Sequence, residues 1–285
     1  MAVKGPEQTA TAATPAATKV SLGDFMKGSA HLPPRIIIHG RQGVGKTLCA
    51  ASCDSPVFLL SPGETGLHSL MDAGQVPESI PNYETLTWES VMGAVEALTS
   101  DKHSRKTLVV DTVSGWEKLA NAYVCHTAYD DNMTKKGFLN YMEGYKAVAM
   151  SIWKELLVAL DRLRRERQMM IVLLAHTGVG NHKNPTGEDY NRWVPQFEGK
   201  PTWEATFAWA DIVLMAEFEI FTKENSQDKA GKQKAVKTSR RYFRTEWSPA
   251  FDAKNRYGMP AEIEMGQSGK EGWDNIMEHL TKKEV

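Results

Sequence analysis

An α/β fold built on a mostly parallel twisted sheet, flanked by helices, is predicted by three observations. From residue 34 onward short β-branched runs alternate with helical stretches, the pattern of strands joined by helical crossovers. One such strand runs into Gly40-Arg41-Gln42-Gly43-Val44-Gly45-Lys46-Thr47, which satisfies the phosphate-loop pattern G-x-x-x-x-G-K-[ST]. A later apolar run ends in Asp111, and strand ends of this kind are where open α/β sheets bind ligands.

The elements follow in order. Pro33-Pro34 precede Arg35-Ile36-Ile37-Ile38-His39, a run that reads as a buried parallel strand. Leu48 to Cys53 begins a helix, so strand, loop and helix stand in the order the phosphate loop requires. Further parallel strands are expected over 57–61, 107–111, 169–175 and 211–221, with antiparallel C-terminal strands over 240–245 and 261–265. The clearest helix spans 145–167, where Val148, Ile152, Trp153, Leu156, Leu157, Leu160 and Leu163 recur at helical spacing. A short helix over 274–281 closes the chain. Residues 1–20, rich in Ala, Thr and Pro, read as a disordered tail. A lead-in over 21–33 and a single domain over 34–285 complete the expected organisation.

At 285 residues, 41% hydrophobic and 24% charged, the chain is long enough for a substantial core. Its formal charge of −1 gives no global attraction to nucleic acid or membranes, so a polyanion site must come from local patches. No apolar run approaches the length needed to span a bilayer, and no signal-peptide pattern opens the sequence. Three cysteines suit a reducing cytoplasm, and the Cys49/Cys53 pair reads as small residues packed under the sheet.

The phosphate loop implies ATP with Mg²⁺. Glycines let backbone N–H groups turn toward one anion, Lys46 supplies a mobile cation, and Thr47 supplies a hydroxyl for the metal. Gly40, Arg41, Gln42, Gly43, Val44, Gly45, Lys46, Thr47 and Leu48 form the expected nucleotide-binding set. Lys106-Thr107-Leu108-Val109-Val110-Asp111 has the Walker B pattern, so Asp111 is the expected second metal ligand; capping of the following helix is the alternative. Glu64 falls just past the end of the 57–61 strand. There it either aligns an attacking water or is an exposed turn residue. His176 and Thr177 end the 169–175 strand at the same edge, where His176 is either a γ-phosphate sensor or a satisfied polar group. No guanine-reading Asn-Lys-x-Asp stretch is present, which favours ATP.

The order of phosphate loop, acidic residue after the second strand, Walker B and polar-ended fourth strand resembles the RecA-like ATPase core. Lys254-Asn255-Arg256-Tyr257-Gly258 resembles the Lys-Asn-Arg-Phe-Gly signature of RadA recombination ATPases and the Lys-x-Arg finger of ring-forming relatives. With Glu64-Thr65-Gly66-Leu67 and Asp211-Ile212-Val213, the chain is similar to small phage RecA-like ATPases of single-strand annealing and recombination. The resemblance implies that Glu64 activates water, and that Lys254 and Arg256 reach a neighbouring subunit's site in a ring or filament. It further implies single-stranded DNA, and single-strand-binding or other recombination proteins, as partners in a cytoplasm, that of a bacterial host for a phage protein. The RadA four-cysteine zinc module is not matched.

RecA-like proteins bind DNA through loops after the third and fourth strands. The first such region here contains Lys135, Lys136, Phe138 and Tyr141, and the second, 178–200, contains His182, Lys183, Tyr190, Arg192, Trp193 and Phe197. Basic and aromatic residues interleaved suit backbone neutralisation with base stacking, although these aromatics also suit anchoring to the core. Residues 222–244 carry eight Lys or Arg, among them Lys232, Lys234 and Lys237, against two acids. Repeated in an assembly, they would sum their attraction for a polyanion. Lys183, Arg192, Trp193, Lys232, Lys234 and Lys237 are the expected nucleic-acid contacts. A ring-forming helicase or translocase uses the same parts. A P-loop small-molecule kinase is a further alternative, excluded if another strand lies between 35–39 and 107–111.

Overall fold

A computed structural model describes residues 32–224 and 233–281. The expected tail, the lead-in up to residue 31 and Lys232 lie outside the described residues, as do the side chains of Lys234 and Lys237. The chain opens with β1 (Arg35–Gly40), α1 (Lys46–Ala50), β2 (Pro56–Leu60), α2 (Gly66–Asp72), β3 (Asn82–Glu84) and α3 (Trp88–Ser100). It continues with β4 (Thr107–Asp111), α4 (Val113–Tyr129), α5 (Glu143–Met150), α6 (Ile152–Arg167), β5 (Met170–His182) and β6 (Tyr190–Pro195). Last come α7 (Lys200–Trp209), β7 (Ile212–Glu224), β8 (Gln233–Arg244), β9 (Lys254–Asn255), β10 (Glu262–Glu264) and α8 (Gly269–Thr281).

The strands form one sheet in the order β10-β8-β7-β1-β5-β4-β2-β3, with β6 added to β5 and β9 to β7. From β7 to β3 all neighbours are parallel, while β8, β9 and β10 pair antiparallel at the C-terminal side. This is the α/β P-loop NTPase architecture expected. β5 lies between β1 and β4, the intervening strand that excludes the small-molecule kinase reading.

Side-chain alternation sorts the core into two layers. In β1, Ile37 packs with Trp88, Trp116, Trp153 and Leu156 beneath α3, α4 and α6. Ile36 and Ile38 face the other layer, with Val44, Leu67, Trp273 and Ile276 from the phosphate loop, α2 and α8. All three isoleucines are fully buried, each contributing roughly 1.5–3 kcal/mol. The two central indoles satisfy their N–H groups inside the core, Trp116 on Thr85 Oγ1 and Trp153 on Thr206 Oγ1, each at 2.9 Å. No helix among the described residues is long and apolar enough to cross a membrane.

Three local expectations change. The helix over 145–167 is two helices, because Ser151 leaves helical geometry (φ −113°, ψ −101°) and its hydroxyl takes the Ala147 carbonyl at 2.6 Å. The break lets α5 and α6 each pack on α7. The loop expected over 178–200 is largely a hairpin, since β5 runs on past Ala175 and pairs antiparallel with β6 from Thr177↔Pro195 to His182↔Tyr190. The final helix begins at Gly269 rather than residue 274.

Candidate functional site

Register brings the sequence-separated candidates to one edge. Gly40 stands opposite His176 across β1 and β5, and Asp111 stands opposite Leu60 and Leu174. The turn after β2 is tied to this edge, Ser61 N–H donating to the Asp111 carbonyl at 2.9 Å and Thr112 N–H to Ser61 Oγ at 3.1 Å. That turn delivers Glu64 beside the other ends. The phosphate loop spans Gly40 to the start of α1, whose first amide groups have no intrahelical partners. Gly40 has no room for a side chain, because a Cβ there would lie 2.3 Å from the Ala216 carbonyl oxygen on β7. Gly45 caps α1 at φ +104°, a conformation that favours glycine.

Lys46, Thr47, Glu64 and His176 line one cavity of about 390 Å³, together with Gln42, Gly43, Gly45, Leu48 and Arg241. Lys46 is buried and its Nζ donates to the Gly40 and Arg41 carbonyls at 2.9 and 3.1 Å, with His176 Nδ1 at 3.5 Å. Burial pulls the Lys46 ammonium down to about 8, against the opposing pull of Asp111 and Glu64. Thr47 Oγ1 donates to Asp111 Oδ2 at 2.7 Å. Asp111 is buried, and that burial raises its carboxyl above the usual range. His176 Nε2 lies 3.1 Å from Glu64 Oε1, and this hydrogen bond holds the Glu64 carboxyl below its ordinary value. With Nε2–H donated to Glu64, Nδ1 is left to accept from Lys46, so one imidazole bridges the cation and the acid.

Thr47 and Asp111 offer only hard oxygens, and Mg²⁺ typically takes one or two protein ligands besides phosphate and water. The pair fits that ion. One layer behind, His39 is fully buried between Thr177 Oγ1 (3.0 Å) and the Asp252 carbonyl (2.7 Å), and burial lowers it to about 4. It is neutral near pH 7 and fixes the start of the β5–β6 hairpin against the loop 245–253.

The remaining candidates are distributed differently. Lys254 and Arg256 lie at the opposite edge of the sheet, where β9 pairs with Ile212 and Val213. Ile212 in turn stands opposite Ile36, four residues before Gly40, or about 13 Å along the strand. Lys254 Nζ caps α7 by donating to the carbonyls of Phe207, Ala208 and Ala210 at 2.7–3.1 Å. Arg256, with a half-exposed side chain, reaches Asp211 at 3.3 Å, and Asp211 also pairs with Arg35 and Arg164. Neither cation meets its own chain's phosphate loop.

Among the expected nucleic-acid contacts, Lys183 is exposed at the hairpin turn and paired with Asp189. Arg192 is a correction. It is 7% exposed, bound to Asp252 at 2.6 Å and stacked with Trp247, so its charge is spent inside the fold. Trp193 packs under the Arg41 guanidinium, 5.6 Å from ring centre to Cζ, joining hairpin to phosphate loop. Phe138 is fully buried between Tyr129 and Tyr145, and Phe197 packs on Trp153 and Trp203, so both anchor their segments to the core. Tyr141 stays 87% exposed.

In sequence Arg241 belongs to the cationic run 222–244, yet in the fold it lines the phosphate-loop cavity. A signal for this did exist. Arg241 and Phe243 share a strand face by period two, and the buried Phe243 turns that face toward the layer that contains Val44.

A family profile described as AAA domain matches residues 32–257, from before β1 through β9. No curated protein matches the sequence. Among solved structures, the crystal structure of the RadB recombinase is similar at a TM-score of 0.43 and 9% identity, over 84% of this chain and 90% of that one. The matched stretch contains the phosphate loop, Glu64, Asp111 and His176, and the chain belongs to the AAA domain family of P-loop ATPases.

Proposed function

We propose that this protein binds and hydrolyses Mg·ATP, and couples that cycle to single-stranded DNA in recombination or single-strand annealing. The observation that carries the reading is the convergence of Lys46, Thr47, Glu64 and His176 on one cavity, with Asp111 bound to Thr47 directly behind it, all from four parallel strand ends. The loop amides and Lys46 bind the polyphosphate of the substrate. Thr47 and Asp111 would hold Mg²⁺, which supplies charge neutralisation of the phosphate oxygens. The Glu64 carboxylate, kept ionised by His176, accepts a hydrogen bond from water and orients it; its base strength is set by the imidazole behind it.

His176 also supports a sensing role. It touches Lys46 and Glu64 and belongs to β5, which continues without interruption into the hairpin. The Arg41–Trp193 stack ties that hairpin to the phosphate loop a second time. Lys183 in the hairpin turn, and Lys135, Lys136 and Tyr141 in the region after α4, are exposed and available to a strand of DNA. The distance of Arg256 from its own loop supports action on a neighbouring subunit, with the protein working as a ring or filament whose sites are completed in trans.

Steady-state phosphate release with Mg·ATP, with and without single-stranded DNA, tests the proposal, with Lys46→Ala as the blank. Wild-type turnover that rises with DNA and falls with added salt is expected. Absence of turnover in both conditions overturns hydrolysis, and a rate indifferent to DNA overturns the coupling.

A further inference from the structure

Arg241 reaches the phosphate loop from a strand that contributes to no known part of the motif. Its Nη1 donates to the Val44 carbonyl at 3.2 Å and its Nη2 to the Gly266 carbonyl at 2.9 Å. A Cβ on Gly45 would lie 2.6 Å from Nη1, so the guanidinium is pressed against the loop backbone one residue before Lys46. Those two bonds use two of its five N–H donors. The cavity it shares with Lys46, Thr47 and Leu48 has room for more.

Charge explains why a second cation belongs there. Lys46 faces two carboxylates, Glu64 in the cavity wall and Asp111 behind Thr47. Among the side chains that line the cavity Lys46 and Glu64 cancel, so without Arg241 the lining carries no net positive charge for a polyphosphate. With it the lining is net positive, and an arginine fork suits phosphate oxygens better than a second lysine would.

We propose that Arg241 is a second phosphate-binding cation of this site, supplied by the same chain, whose ligand is the polyphosphate of a nucleoside di- or triphosphate. The assignment rests on the nucleotide reading above and adds a residue to it. In that role Arg241 ties the antiparallel β8 and the turn at Gly266 to the occupied loop, so the C-terminal strands and α8 respond to nucleotide directly.

Equilibrium binding of fluorescent ATP, ADP and adenosine to wild type, Arg241→Gln and Arg241→Lys tests this. Glutamine keeps an N–H donor for the carbonyls and removes the charge, whereas lysine keeps the charge. Arg241→Gln is expected to weaken ATP and ADP roughly 10- to 100-fold, the scale of a charged hydrogen bond, and to flatten the salt dependence of binding. Adenosine binding should not change, and Arg241→Lys, which keeps the charge without the fork, should recover part of the loss. Equal ATP affinity in wild type and Arg241→Gln overturns the Arg241 assignment alone. So does an Arg241→Lys variant, melting at the wild-type temperature, that binds ATP as weakly as Arg241→Gln. A folded wild type that binds no ATP removes the nucleotide reading as well.

Discussion

Replacing Asp111 by Asn separates the structural from the functional part of the Thr47–Asp111 contact. Asp111 is 3% exposed, and burial raises its carboxyl. A carboxyl raised in the fold favours its protonated form, so above its folded pKa the ionised group costs stability. Asparagine still accepts from Thr47 Oγ1 through its carbonyl, exchanging a charged acceptor (about 1.5–3 kcal/mol) for a neutral one (about 0.5–1.5 kcal/mol). The ~1 kcal/mol loss is offset by removing the buried charge. Without nucleotide, Tm should stay within about 4 °C of wild type, since 1 kcal/mol moves Tm roughly 2–4 °C at this size. With ATP at about 100 times Kd, binding adds ~2.7 kcal/mol, and wild type should melt several degrees higher still when Mg²⁺ is supplied. Asp111→Asn should keep the increment from ATP alone, because Lys46 and the loop amides remain, and lose the Mg²⁺-dependent part. Differential scanning fluorimetry without nucleotide, with ATP alone and with ATP and Mg²⁺ reads both effects. A variant that retains the full Mg²⁺ increment refutes metal support by Asp111. One that melts more than about 10 °C lower without nucleotide shows that the carboxylate is structural.

Lys46 titrates near 8 without nucleotide and must be charged to hold phosphate. ATP binding at pH 9 should therefore take up close to one proton, seen in calorimetry as an enthalpy that varies with buffer ionisation heat; no variation at pH 9 counts against this. Glu117 is fully buried with its carboxylate accepting the Glu198 and Gly199 N–H groups at 2.7 and 2.9 Å, and burial raises it to about 7. The folded state thus holds its proton longer than the unfolded chain, and stability is lost as pH rises from about 4.5 through about 7, by up to ~3 kcal/mol. Glu117→Gln should remove that slope from the Tm–pH curve, and parallel curves for the two proteins would contradict it. Arg256→Ala leaves Asp211 its closer Arg35 partner at 2.7 Å, so Tm should change little. Its ATPase rate should fall about 10³-fold with ATP affinity retained. Mixing with Lys46→Ala subunits should restore part of that rate, and full turnover of Arg256→Ala alone would remove the trans role.

The centre of the site was legible because its chemistry is local. Gly40 to Thr47 carries its own backbone geometry, and residues that end parallel strands meet at one edge once the strands are recognised. Asp111 and His176 therefore meet through sheet register, and the turn after β2, tied to Asp111 by Ser61, adds Glu64. The helix break at Ser151 was hidden because Trp153 keeps the apolar spacing across it, while its indole is satisfied by Thr206 on a distant helix. Arg192 read as a surface cation since its partner, Asp252, lies sixty residues further on.

Residue pattern thus settled the fold class, the phosphate loop and the strand-end acids, which depend on near neighbours and on periods of two and 3.6 residues. Partnership across the sheet settled the rest. Whether a cation serves the loop, a helix end or an internal carboxylate depends on which face its strand turns inward and what it meets there. Arg241, Lys254 and Arg192 are all cations among polar neighbours in sequence, yet they end at the Val44 carbonyl, the α7 terminus and Asp252 respectively. Arg192 is buried and Arg241 and Lys254 partly so, and a charge withdrawn from water is stabilised by a partner inside the protein.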